Sequence, residues 1–225
     1  MRISKLVMLS VVALALFLAC SPRKAAPVPA GTMGAAAALG PRVVYFEGDV
    51  KVDGSAPEIG KELGAKVRVE TGTGASCDIV LGAKNAIRIS QDAEATLDFS
   101  GIVKEVSLKK GGLSAVLRGL AQVPGSDSFR VTTATAYAGV RGTCFCVWAE
   151  EGSTYVCACN GRVRTIDAKG SNELSLEAAH HSAREYTSKG GKTEVVPAGI
   201  EHHSDASIES LAARIGETID WTKED

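Results

Sequence analysis

A mainly β domain, either a sandwich or a solenoid-like stack, followed by a small C-terminal extension ending in one amphipathic helix, is what this 225-residue sequence predicts. Three observations predict it. From Val43 to Ala149 apolar and polar residues alternate in short stretches: VVYFEGDVKVDG, KVRVETG, CDIVLG, AIRIS, IVKEVSLKKGG, FRVTT and TCFCVWA. Period-two alternation at this length is the mark of half-buried strands. The chain holds 24 glycines, many of them between these stretches, where turns need residues that tolerate positive φ. One clear helical period stands near the end, where Ile208, Leu211, Ala212, Ile215 and Ile219 recur behind Ser204 or Asp205 as a candidate N-cap.

The elements follow in order. Arg2 and Lys5 precede Leu6 to Leu18, thirteen positions in which Ser10 is the one polar residue; this is the pattern of a signal peptide and is short for a membrane span. The run ends in Phe17-Leu18-Ala19-Cys20, which resembles a lipobox, so cleavage before Cys20 and attachment of lipid, including palmitate-like acyl chains, to that cysteine are expected. Several acyl chains anchor stably where one does not. Residues 1–19 then form the signal peptide, and residues 20–41, rich in Pro, Ala and Gly, a flexible tether. Residues 42–168 form the β domain. Residues 169–225 form the extension, with a strand pair around Glu173 to Leu176 and Ala183 to Thr187, and a helix over about 205–220. An extracytoplasmic, lipid-anchored location follows, on the periplasmic face of a membrane or at the cell surface, with the membrane itself as a partner.

Without residues 1–19 the chain carries 23 Lys and Arg against 26 Asp and Glu. That balance, with scattered basic residues, excludes nucleic acid as a partner. Phosphate-cradling glycine loops, the Gly-x-Ser-x-Gly elbow and the His-Glu-x-x-His helix are all missing, so no enzyme is expected.

The stretch Thr143-Cys144-Phe145-Cys146-Val147-Trp148-Ala149-Glu150 faces Ser153-Thr154-Tyr155-Val156-Cys157-Ala158-Cys159 across Glu151-Gly152, which reads as a hairpin. Facing residues then have numbers summing to 303, placing Cys144 against Cys159, Cys146 against Cys157 and Trp148 against Tyr155. Phe145, Val147, Val156 and Ala158 fall on the opposite, core face. Three chemistries fit the four-cysteine face. Cross-strand disulfides are one, since facing Cβ atoms lie close enough and the compartment is oxidising. A soft metal such as Zn, Cu or Fe, or a haem, is another, helped by His180, His181, His202 and His203, the four histidines of the chain. Free redox-active thiols are the third. Neighbouring histidines point opposite ways, so one of each pair would face inward. Cys77 shares a face with Ile79 and Leu81 and is expected to be a buried apolar residue.

The segments Gly48-Asp49-Val50, Ile59-Gly60, Val69-Glu70-Thr71-Gly72, Leu108 to Gly112, Phe129-Arg130-Val131-Thr132-Thr133 and, above all, Ala138-Gly139-Val140-Arg141-Gly142-Thr143-x-Phe145 resemble a FecR domain over about residues 42–165. The resemblance implies a β-rich, noncatalytic periplasmic module that contacts other envelope proteins. The founding members relay to a sigma factor through a membrane helix and a cytoplasmic segment. A lipidated chain leaves nothing in the cytoplasm, so a binding or structural module is expected here rather than that relay. Within the motif, Arg141, Gly142, Thr143 and Phe145 are expected to serve stability, with the glycines allowing close approach and Arg141 bonding carbonyls between layers.

Overall fold

The computed structural model describes residues 40–122 and 124–223, so the signal peptide, Cys20 and most of the tether lie outside the described residues. Among the described residues there are fourteen strands and one helix. In chain order they are β1 (Arg42–Glu47), β2 (Val50–Val52), β3 (Lys66–Thr71), β4 (Ser76–Val80), β5 (Asn85–Ile89), β6 (Glu94–Asp98) and β7 (Lys104–Leu117). There follow β8 (Phe129–Thr132), β9 (Ala136–Val140), β10 (Cys144–Glu150), β11 (Ser153–Asp167), β12 (Leu174–Ala178), β13 (Ser182–Lys189), β14 (Lys192–Ala198) and α1 (Asp205–Ala213).

These strands build two sheets packed on one another as in a sandwich and joined by shared strands into a closed β-barrel core, mainly β as expected. The first runs β1-β4-β5-β7-β10-β11-β13-β14. The second runs β2-β3-β6-β7-β8-β9-β11-β12. Two long strands, β7 and β11, belong to both. The changeover comes at a glycine each time: β7 pairs with β6 up to Lys110 and with β10 from Gly111, and β11 leaves β10 at Asn160 and meets β12 at Gly161. Gly111 has φ +76° and Gly161 φ +106°, a region open to glycine and strained for other residues. Because β10 bridges β7 and β11 in one sheet while β8 and β9 bridge them in the other, pairing closes a ring of five strands.

Alternation puts the β-branched, leucine and phenylalanine side chains between the sheets. Ile79, Ile87, Ile89, Leu97, Leu108, Leu113, Phe129 and Phe145 are all shut off from solvent there, each burial contributing about 1.5–3 kcal/mol. Cys77 is buried among them, as its strand position implies. The family motif supports this core. Phe145 meets Phe129 edge-on with ring centres 6.0 Å apart. Thr143 Oγ1 donates to the Arg162 carbonyl at 2.8 Å and accepts from the Arg162 N–H at 3.2 Å. Gly142 takes φ +92°, and a Cβ on Gly139 would run into the Asp127 carboxylate. Arg141 departs from expectation. It is exposed at a turn and bonds no interlayer carbonyl; its own carbonyl accepts from Gln122 instead.

A second apolar layer lies on the outer face of the first sheet. Ile208, Leu211 and Ala212 of α1 pack there with Val80, Ala86, Val116, Tyr155 and all four hairpin cysteines. Ser204 caps the helix through a reciprocal capping box with Ser207. Asp78, fully buried, ties the layer down: it accepts from Arg88 at 2.6 and 2.8 Å and from Arg214, at the helix C-cap, at 3.0 Å. The helix stops at Ala213 rather than near 220; Ile215, Ile219 and Trp221 continue the covering in irregular turns. The two extension strands do not pair with each other. β12 adds to β11 in the second sheet, and β13 joins β11 to β14 in the first.

Candidate metal centre

The β10–β11 hairpin follows the sequence register through most of its length. Glu150 pairs with Ser153, Trp148 with Tyr155, Val147 with Val156, Cys146 with Cys157 and Phe145 with Ala158. The register then slips by one, and Cys144 faces Asn160 rather than Cys159. The inserted residue is Cys159, and a bulge of this kind bends its strand and re-aims side chains. Here it leaves Asn160 pointing toward the covering layer, where its Nδ2 donates to the carbonyls of Asp220 at 3.3 Å and Lys223 at 2.7 Å.

Cys157 and Cys159, two apart on one strand, place their sulfurs 4.0 Å from each other. His181 reaches them from the turn between β12 and β13, with Nδ1 3.5 Å from the Cys157 sulfur. His203 comes from the segment after β14, with Nε2 3.4 Å from the Cys159 sulfur and 3.3 Å from His181 Nδ1. These four donor atoms all lie within 4.8 Å of one another. One histidine of each adjacent pair faces inward. His202 instead stacks on Trp148 at 4.6 Å, and His180 turns outward to Asp205 at 3.0 Å. His181 and His202 sit at φ +55° and +62°, and non-glycine residues held in that region concentrate at functional sites.

The outer nitrogen of each inward histidine is committed. His203 Nδ1 lies 2.6 Å from the Glu201 carbonyl, which can only accept, so Nδ1 carries the proton. His181 Nε2 lies 2.7 Å from the Asp205 carboxylate and donates there. Both inner nitrogens therefore turn toward the sulfurs and toward each other, where thiol protons, an imidazolium proton or a metal ion can satisfy them. With protons alone the cluster is a thiolate–imidazolium set. Cys157 falls to about 3, first through the hydrogen bond from the Cys159 thiol and then, against burial, through His181 and His203. Burial opposes ionisation of Cys146, yet Cys159 and His203 bring it to about 6. Cys159, penalised by burial and surrounded by other sulfurs, stays a thiol. Burial disfavours charge on His203 as well, but the Cys146 and Cys157 thiolates lift it to about 11.

Thiolates and imidazoles are the donors that zinc, copper(I) and iron accept. Four of the six donor separations fit a tetrahedron. With Zn–S of about 2.3 Å and Zn–N of about 2.05 Å, tetrahedral edges are roughly 3.8 Å for S···S, 3.6 Å for S···N and 3.3 Å for N···N. The residues here give 4.0, 3.5 and 3.4, and 3.3 Å. Cys146 lies beside this set with its sulfur 3.0 Å from Ser114 Oγ, and Cys144 is buried in the same layer. All five described cysteines are unpaired. The sequence marked Asp205 as a helix-cap candidate and not as the acceptor behind His181, and it did not mark the Glu201 carbonyl or Ser114; all three acquire their place at the site only through the fold.

In this β-rich chain the sheets form the scaffold, and the buried cluster of thiols and imidazoles lies on one outer face, apart from the main core. Residues 67–164, from β3 into β11, match the model of the FecR protein family. The four hairpin cysteines fall inside that match, and His181 and His203 lie beyond it. Two crystal structures from Parabacteroides distasonis, each of a candidate anti-sigma factor, are similar to this chain. One, at 2.50 Å, is 16% identical with a TM-score of 0.47 over 59% of this chain and 60% of that one. The other, at 1.65 Å, is 15% identical with a TM-score of 0.45 over 66% and 74%. The chain thus spans less than two thirds of the first. None of the curated proteins matches it. Among the described residues no helix is long and apolar enough to cross a membrane.

Proposed function

We propose that this protein is a lipid-anchored, extracytoplasmic FecR-domain module, noncatalytic, that holds one thiophilic metal ion, zinc foremost, through Cys157, Cys159, His181 and His203. The observation carrying the metal is the agreement of four donor separations with a tetrahedral set, each imidazole fixed from behind by a hydrogen-bond acceptor. Closed four-coordinate sites of this composition are structural, whereas catalytic ones keep a position open. Burial supports the noncatalytic reading: both cysteines are fully buried and the His181 side chain is 4% exposed, so a Cys157–His181–Asp205 relay has no substrate access. The lipid anchor rests on the Leu6 to Leu18 run and Cys20. A partner protein of the envelope would meet the FecR domain on its exposed surface.

Metal analysis of untagged protein, with a count of free thiols, tests this. One zinc per chain is expected, and cobalt(II) substituted for it should give the intense visible absorption of tetrahedral thiolate coordination. Cys157→Ser should lose the metal. Metal-free protein with its hairpin cysteines oxidised in pairs would overturn the reading. In cells, Cys20→Ser should move the protein from the membrane fraction to the soluble one.

A further inference from the structure

We infer that the segment 199–223 is a cover over the thiol-bearing face of the first sheet, and that metal at the proposed centre holds it shut. This rests on the metal reading above. The four donors come from three stretches of chain: Cys157 and Cys159 from β11, His181 from the turn before β13, and His203 from the segment that leads into α1. Asp205, which orients His181, is the first residue of α1. Seating the segment therefore completes the site, and the site clamps the segment.

The helix has nine residues, too few to persist alone in water, and it buries Ile208, Leu211 and Ala212, so its place depends on the contacts that seat it. Ile215, Ile219 and Trp221 pack partly buried on the same layer. Arg88 donates to the Ser207 carbonyl and to Ser210, Arg214 reaches Asp78 and lies over the Tyr45 ring, and Lys84 pairs with Glu217. Asn160 holds the carbonyls of Asp220 and Lys223, and the Tyr155 hydroxyl donates to the Gly199 carbonyl at 3.0 Å. The metal centre adds a clamp at the N-terminal end of the helix. Beneath the cover lie Cys144 and Cys146, both buried. Lifting it would bring two further thiols to the surface.

Linkage sets the size of the effect. An open cover keeps Cys157, Cys159 and His181 but removes His203 and the Asp205 carboxylate behind His181. Losing a supporting group of that kind alone weakens metal by about 10–100-fold. Reciprocity then requires that metal favour the closed cover by at least the same factor.

The experiment is hydrogen exchange of residues 205–219, read by mass spectrometry on the untagged chain, with zinc and after a strong chelator. Alkylation of Cys144 and Cys146 is measured in parallel. Zinc should slow exchange across α1 and alkylation of both thiols by about 10-fold or more. The double variant His203→Ala/Asp205→Ala should still bind zinc more weakly through Cys157, Cys159 and His181, and at saturating zinc its exchange and alkylation should match those of its chelated form. Stoichiometric zinc in the wild type with unchanged exchange and alkylation would overturn the cover while leaving the metal site standing. Failure of the wild type to bind zinc would overturn both.

Discussion

Asp127 lies on the outer face of the second sheet with a side chain 8% exposed, and it accepts from Arg164 at 2.8 Å and from the Tyr137 hydroxyl. Burial works against its charge, but those two hydrogen bonds prevail and hold its carboxyl below the ordinary carboxylate range. A carboxylate with a depressed folded pKa stabilises fully above its unfolded value of about 4 and loses that contribution as pH falls through the folded value. Asp127→Asn should therefore melt below the wild type near neutrality, by the equivalent of roughly 1 kcal/mol given that Arg164 is partly solvated. The gap should close as pH falls below about 4 and through the depressed folded value. Melting curves followed by circular dichroism check this, and a gap constant with pH would refute it. Single residues divide sharply in how much the sequence told of them. The cysteine spacing was legible because alternation fixes faces; one histidine of each pair does face inward, but both pairs lie outside the strands, where alternation does not set the direction. Arg141 was not, because a motif position does not say whether its side chain turns inward or sits on a turn. Nor were the hydrogen bonds behind the histidines, which join residues that only the fold brings together.

The hairpin and the helix show the same division at the level of the element. Two-residue closure at Glu151-Gly152 and the pairing from Glu150 to Phe145 follow from alternation alone. The bulge at Cys159 does not, since an inserted residue leaves the sequence pattern intact on both sides and changes only which residues face each other. The helix start was legible in Ser204. Its end was not, because the Ile215 and Ile219 spacing continues past Ala213 while the chain turns irregular to follow the sheet. Ser204→Ala removes one half of the capping box and should cost about 1 kcal/mol. Because α1 docks on the sandwich rather than forming part of it, that loss should appear as roughly five-fold faster amide exchange within α1. Faster exchange throughout the sheets instead would show that helix and sandwich open as one unit.

For the whole molecule, the strand class was legible and the strand order was not. Period-two patterns say that a strand has two faces and say nothing of its neighbours, and nothing in β7 or β11 announces membership of two sheets beyond a glycine at each changeover. Gly111→Ala probes this. A Cβ there would lie 2.5 Å from the Ala93 Cα, at φ +76°, so a destabilisation of about 2–4 kcal/mol is expected from clash and backbone strain together. Since β7 serves both sheets, urea unfolding should remain one transition with an unchanged slope and a lower midpoint. Two separated transitions would mean that the sheets are independent.

The sharing of β7 and β11 also fixes an order of events as the chain is made. Six strands precede β7, yet β7 acquires its β10 neighbour only when residues 144–150 exist, and the ring closes only with β9 against β11, by residue 167. The early strands must wait, partly paired, for a hairpin encoded well beyond them. Most of the pairing that completes the domain is distant in sequence, which makes for slow folding and a long-lived unfinished edge. The four hairpin cysteines arrive on that same late hairpin, and they stay uncovered until residues 199–223, made later still, pack over them.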